Sequence, residues 1–205
     1  MKLLTAKEKK ERGLGVRLGL KAFRSNSPKS AMIRRPYRPG EHGKKRSRNA
    51  SEFKLQLVEK QKVKLTYGLT ESQIKAIFEK ALKSREATFD KLVELFESRL
   101  DSMVYWMGFA PSRIMARHLV SHGHFLVNGR KVTVPSFKVK PGNSITIKES
   151  SKEIPLFKEL KNILKKNSNA WISLDAEKLQ GTLTSIPHDV ELPFNINAVI
   201  DYYAR

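Results

Sequence analysis

The sequence predicts an α+β chain: a basic extended arm, then a helical domain, then two helices with a small antiparallel sheet. Three observations carry this. Positive charge crowds into residues 1–50, which hold sixteen Lys and Arg against three acids, +13 of the net +20. From Ser51 to Met107 apolar residues recur at helical spacing. Beyond Gly123 short apolar or alternating runs are punctuated by Asn-Gly and Pro-Gly, which mark strands and turns. The boundaries are an arm at 1–50, a helical domain at 51–96, a second module at 97–160 and a segment at 161–205 that packs back on the domains.

A chain of 205 residues fits one domain or two small ones, and a hydrophobic fraction of 40% is enough for a core. So large an excess of positive charge costs self-repulsion, which a polyanion would offset. Nucleic acid is the leading partner, and an anionic membrane surface the rival. No apolar run approaches the ~20 residues of a membrane-crossing helix. Met1-Lys2-Leu3-Leu4 gives way to charged residues, so no secretory segment is expected, and Glu8 and Glu11 count against an organellar transit peptide. With no cysteine there is no disulfide, no thiolate-held zinc and no cysteine nucleophile, which suits a reducing compartment such as the cytosol.

The arm from Arg34 to Arg48 is poor in apolar residues and carries two Pro and two Gly, which stop regular structure. Such a segment is expected to be mobile alone and ordered by phosphates. Arg35, Arg38, His42, Lys44, Lys45, Arg46 and Arg48 are its candidate RNA contacts. The plainer alternative is a solubilising tail.

From Ser51, Phe53, Leu55, Leu57, Val58, Val63 and Leu65 predict a helix with a broad apolar face, ended by Gly68. Lys54, Lys60, Lys62 and Lys64 lie around the remainder and extend the expected RNA footprint. Thr70-Glu71-Ser72-Gln73 matches a capping box. Ile74, Ile77, Phe78, Ala81 and Leu82 follow as a second amphipathic helix, and Phe89, Leu92, Val93 and Phe96 as a third. The balance over residues 51–95 is only +2, and over 96–160 it is +5.

The second module opens with a helix around Leu100–Met107 that stops near Gly108, with Asp101 as its expected cap. Pro111 and Ser112 start another helix, which runs to His122-Gly123 and places Arg113 and Arg117 on one face. Phe125-Leu126-Val127 is a short strand, Asn128-Gly129 suits a two-residue hairpin, and Arg130-Lys131-Val132 leads back. Lys140-Pro141-Gly142-Asn143 is a turn, and Ser144–Lys148 alternates as a half-buried strand. Arg113, Arg117, His118, His122, His124, Asn128, Arg130 and Lys131 are the module's candidate RNA contacts, expected to converge on one side. Further on, Ile154–Lys166 reads as a helix and Gln180–Ile186 as a strand.

Residues 97–130, from Glu-Ser-Arg-Leu-Asp through Arg113-x-x-x-Arg117 to His122-Gly123-His124-x-x-Val127-Asn128-Gly129, resemble the small RNA-binding module named after the fourth small-subunit ribosomal protein (the S-four-type, or alpha-L, module). Pro39-Gly40-Glu41-His42-Gly43, Gln56-Leu57-x-Glu59-Lys60-Gln61-Lys62 and Tyr67-Gly68 resemble the N-terminal domain of that ribosomal protein family itself. Trp171-x-x-Leu174-Asp175, Lys178-x-x-Gly181-Thr182, Pro187, Ile196-Asn197 and Tyr202-Tyr203 resemble its C-terminal end. The resemblance covers most of the chain in order.

It implies a bacterial-type structural constituent of the small ribosomal subunit, cytoplasmic rather than organellar. Such proteins bind small-subunit ribosomal RNA directly, at a helix junction in its five-prime domain, early in assembly. They sit beside ribosomal protein five and near the path by which messenger RNA enters, where they influence decoding accuracy, and some repress their own operon. Many carry an N-terminal cysteine cluster that holds zinc; this chain resembles the zinc-free branch, and no metal or cofactor is expected. Trp106 stands where the family more often has a basic residue.

Other signals are weaker. Arg99-Leu100-Asp101 is similar to the tripeptide of pseudouridine synthases, and an RNA-modifying enzyme built on Asp101 is one alternative. A nonspecific DNA or membrane-surface binder is the other. His118, His122 and His124 lie in basic surroundings with no acidic ligand nearby, which disfavours a bound cation. Gly13-x-Gly15-x-x-x-Gly19 misses dinucleotide-binding spacing, and Gly40-x-x-Gly43-Lys44-Lys45 lacks the spacing and hydroxyl of a phosphate-binding loop.

Overall fold

A computed structural model describes residues 6–25, 27–45, 49–158, 160, 170–187 and 190–204. The chain divides into two compact units, one of residues 1–89 with 191–205, the other of residues 90–190.

The first unit begins with the arm, and its described part is folded. Helix α1 (Lys7–Leu14) is followed by short turns α2 (Ala22–Ser25) and α3 (Ala31–Arg34) and a 3-10 turn at Glu41–Lys44. The arm's few acids anchor its first part. Buried Glu11 accepts backbone hydrogen bonds from Leu18 (3.0 Å) and Leu20 (3.1 Å) and so ties down the loop after α1. Glu8 pairs with Lys21 at 3.4 Å and Arg24 at 2.9 Å. Arg12 Nε donates to the carbonyls of Arg35 (2.9 Å) and Tyr37 (3.1 Å), joining α1 to the Pro-Gly segment.

Helix α4 (Glu52–Tyr67) starts at Ser51, whose hydroxyl accepts from the Lys54 backbone, and ends at Gly68 with φ +61°, conformations that favour these residue types. Helix α5 (Glu71–Leu82) carries the expected reciprocal cap between Thr70 and Gln73. The face of α4 is not the expected one. Phe53 and Leu55 are exposed, while Gln56, Lys60, Val63, Thr66 and Tyr67 are buried. The reason lies at the far end of the chain, where helix α10 (Ile196–Ala204) returns to α4 and α5. Phe53 meets Tyr202 at 5.7 Å between ring centres, and Phe78 meets Tyr203 at 4.6 Å.

Helix α6 (Thr88–Glu97) leads into the second unit, where α7 (Leu100–Trp106) and α8 (Arg113–Ser121) follow. Strands β1 (Phe125–Val127), β2 (Arg130–Lys131), β3 (Ser144–Ile147), β4 (Ile172–Asp175) and β5 (Gln180–Leu183) form one antiparallel sheet in the order β2-β1-β3-β5-β4. Asn128 (φ +48°) and Gly129 (φ +77°) make the hairpin turn, as the dipeptide predicts. Leu100, Met103 and Val104 of α7, Met107 just after it, and Leu119 and Val120 of α8 join Phe125, Ile145 and Ile147 of the sheet in one core. The segment after residue 160 therefore divides: β4 and β5 widen the second unit's sheet, and α10 joins the first unit. Strand β5 begins where the sequence places it. The helix expected at Ile154–Lys166 is described as α9 (Pro155–Lys158), and its remainder lies almost wholly outside the described residues. No described helix is long and apolar enough to cross a membrane.

Candidate nucleic-acid interface

In the first unit the basic residues are shaped by Tyr37. The Arg12 guanidinium lies 5.1 Å from its ring centre and the Lys44 ammonium 5.3 Å, both within cation–π reach. Gly43 is needed here, because a Cβ would collide with the Arg38 carbonyl oxygen. The turn leaves Arg35, Arg38, His42, Lys44 and Lys45 at the exposed surface. Arg46 and Arg48 lie outside the described residues.

The lysines of α4 divide. Lys54 is exposed as expected. Lys60 is a correction: it is 5% exposed, its Nζ donates to Glu71 Oε1 at 2.7 Å and Tyr202 Oη at 3.3 Å, and it sits 4.5 Å from the Tyr202 ring centre. Lys62 pairs with Glu59 at 2.6 Å, with little of its side chain exposed, and Lys64 pairs with Glu71 at 3.2 Å. These pairs hold the unit together, and Lys64 keeps part of its side chain exposed. Burial works against the Lys60 charge, but its hydrogen bonds to Glu71 and Tyr202 and the Glu71 charge outweigh it and raise its pKa. Burial likewise pushes the Glu71 carboxyl up, yet hydrogen bonds from Lys60, Tyr203 and Lys64 hold it down at about 2.

In the second unit the two arginines of α8 also turn inward. Glu94, Glu97 and Asp101, at steps of three and four along α6 and α7, form a buried acidic row. Glu94 is met by Lys91 (2.7 Å) and Lys138 (2.6 Å). Glu97 receives both guanidinium nitrogens of Arg113 at 2.9 Å and the Trp106 indole N–H at 2.7 Å. Asp101 is gripped by Arg99 at 3.0 and 2.7 Å and by Arg117 at 3.3 Å. Two expectations are corrected. Arg113 and Arg117 are neutralised from within, so they do not present free cations, although Arg117 stays partly exposed. Asp101 is not the cap of α7: Arg99 holds the cap position, and Asp101 lies in the first turn, locked by its arginines. A carboxylate so enclosed is unsuited to nucleophilic chemistry. Trp106 completes the Glu97 site and packs 5.8 Å from Trp171 between ring centres.

What the module does gather is a second cluster. The His122 and His124 rings lie 6.2 Å apart. The Lys131 side chain passes over Gly123 so closely that a Cβ there would strike its Cε. Lys148, which the sequence reading left out, directly follows β3 and donates its backbone N–H to the His124 carbonyl at 2.9 Å. The antiparallel β1–β3 pairing puts Lys148 there, and strand alternation alone could not show it. His124 Nδ1 lies 2.9 Å from Ser151 Oγ. Burial first, then the positive charges of His122, Lys148 and Lys131, lower the His124 pKa. His118, His122, Arg130 and Lys131 are exposed. Asn128 serves the hairpin, its Oδ1 accepting from the Ser144 backbone at 2.8 Å. Among the described residues no group of His, Asp and Glu stands where it could hold a metal ion.

A cationic surface on a small, rigid helix-and-hairpin frame is what RNA-binding modules present. Comparison with known proteins agrees. Residues 2–97 match the model of the ribosomal protein S4/S9 N-terminal domain, and residues 98–145 match that of the S4 domain. The chain is 45% identical to the small ribosomal subunit protein uS4 of Thermus thermophilus over 194 residues, 93% of each chain. It is 41% identical to that of Desulfitobacterium hafniense, again over 93% of each chain, and 42% identical to that of Aquifex aeolicus over 92% and 93%. The chain belongs to the uS4 family of small ribosomal subunit proteins.

Proposed function

We propose that this chain binds small-subunit ribosomal RNA directly at a helix junction of the five-prime domain, nucleates subunit assembly there and contributes to translational accuracy. Its family makes it a structural RNA-binding protein of the small ribosomal subunit and not an enzyme. The observation that supports the finer reading is the His122–His124–Lys131–Lys148 cluster: basic side chains gathered at the end of a helix and the edges of a hairpin. The arm residues Arg35, Arg38, Lys44 and Lys45 supply phosphate contacts of their own, and Lys54 extends them. Fixed cations of this kind suit recognition of a folded RNA by backbone shape rather than by base sequence. The same resemblance supports ribosomal protein five as a neighbour, a place near the path of incoming messenger RNA, and residence in cytoplasmic ribosomes.

The test is a salt-titrated binding assay with small-subunit ribosomal RNA, using unrelated duplex RNA and DNA as competitors. Binding that resists competition at physiological salt supports junction-specific recognition. Binding removed equally by any polyanion reduces the chain to a generic cationic surface.

A further inference from the structure

We propose that the cavity between α1 and α4 receives a nucleobase extruded from the bound RNA. This rests on the RNA-binding reading above and adds a base-binding site to it.

The cavity has a volume of about 380 Å³, within the ~300–1,000 Å³ of small-molecule sites. Leu14, Leu65 and Leu69 give it apolar walls, while Lys10, Gln61 and Lys64 contribute its polar lining. Apolar walls favour a flat ring by removing it from water. The Gln61 amide offers a donor and an acceptor for a base edge. The ammonium groups of Lys10 and Lys64 suit the attached phosphate; Lys64 is steadied by Glu71 at 3.2 Å.

Gly13 supplies a second, independent observation. It lies inside α1 and lines the same cavity. Glycine in a helix is about 1 kcal/mol less favourable than alanine. Yet a Cβ at this position would meet nothing nearer than Pro39 Cγ at 4.0 Å, so crowding does not require the glycine. Its backbone therefore forms part of the cavity wall at a position where a larger side chain has room. The occupant follows from charge. The arm that walls one side belongs to a segment with a balance of +13, which draws an anionic chain rather than an apolar peptide. RNA-binding proteins take up unpaired bases that splay out of loops and bulges.

The experiment titrates adenosine 5′-monophosphate into the full chain and follows leucine methyl resonances by NMR, with ribose 5-phosphate as a control. Saturable shifts at Leu14, Leu65 and Leu69 with the nucleotide but not the sugar phosphate are expected. Equal shifts with both would assign the response to phosphate alone and overturn the base site. Gly13→Leu, which adds bulk at the cavity wall where a Cβ has room, should keep or raise the melting temperature, abolish the methyl shifts and weaken ribosomal RNA binding about tenfold, equivalent to ~1.4 kcal/mol. Gln61→Leu, which removes the amide from the half-buried cavity wall on α4, should lose nucleotide binding even if Gly13→Leu folds poorly. Unchanged ribosomal RNA affinity in both variants overturns the base site and leaves the RNA-binding reading standing. Failure of the unaltered chain to prefer ribosomal RNA overturns that reading instead.

Discussion

Arg113 holds Glu97 through both guanidinium nitrogens, each at 2.9 Å, around a carboxylate with no exposed side-chain surface. The pair sits in the middle of the acidic row Glu94–Glu97–Asp101, and it converts a residue expected at the RNA surface into a support for the frame beneath that surface.

Removing one partner of such a pair strands the other in a low-dielectric site, which costs ~3–5 kcal/mol. Glu97→Ala should destabilise the second unit by about that much. Urea unfolding followed by Trp106 and Trp171 fluorescence measures it. Stability within ~1 kcal/mol of the unaltered chain would show that the pair adds little.

Lys131 and Lys60 should separate binding from folding. Lys131→Ala should weaken ribosomal RNA binding and reduce the slope of log affinity against log salt by about one phosphate contact. Lys60→Met should leave that slope unchanged, because Lys60 is enclosed against Glu71 and Tyr202. Filter binding across a salt series reads both. Equal slope changes in the two variants would contradict the division of the lysines.

His124 gives a pH dependence. Its pKa is lowered from 6.5, first by burial and then by the repulsion of His122, Lys148 and Lys131. The ring is therefore neutral near pH 7, and a phosphate brought to the cluster favours its protonated form. RNA binding should take up a proton, so affinity should rise as pH falls through the histidine range, about pH 5–8. In the free protein the sign is opposite: the stability His124 contributes is complete above 6.5 and is lost as pH falls below it. His124→Asn should flatten both profiles, measured by binding and by thermal melts.

Glu71 sets an acid limit on the first unit. With its carboxyl at about 2 against an ordinary 4.5, the stability it contributes is present above 4.5 and is lost as pH falls from 4.5 towards about 2. Glu71→Gln should flatten acid unfolding in that window, followed by the near-ultraviolet dichroism of Tyr202 and Tyr203. An unaltered acid profile would place the acid-sensitive group elsewhere.

Local chemistry alone determined much of this protein. The Thr70–Gln73 cap, the Gly68 stop, the Asn128-Gly129 turn and the alternating strand at Ser144–Ile147 all stand where the sequence puts them, because each depends on interactions a few residues apart. The excess of basic residues in the arm likewise points to a polyanion partner from composition alone. Which cations remain for that partner was decided only by tertiary structure. Lys60 is covered by Tyr202, which lies 142 residues further along the chain, and Arg113 is neutralised by Glu97, 16 residues before it. Lys148 joins His124 only through strand pairing. Helical periodicity shows which residues share a face. Whether that face meets water or another segment depends on long-range packing and on the desolvated ion pairs it creates, and no local pattern encodes it.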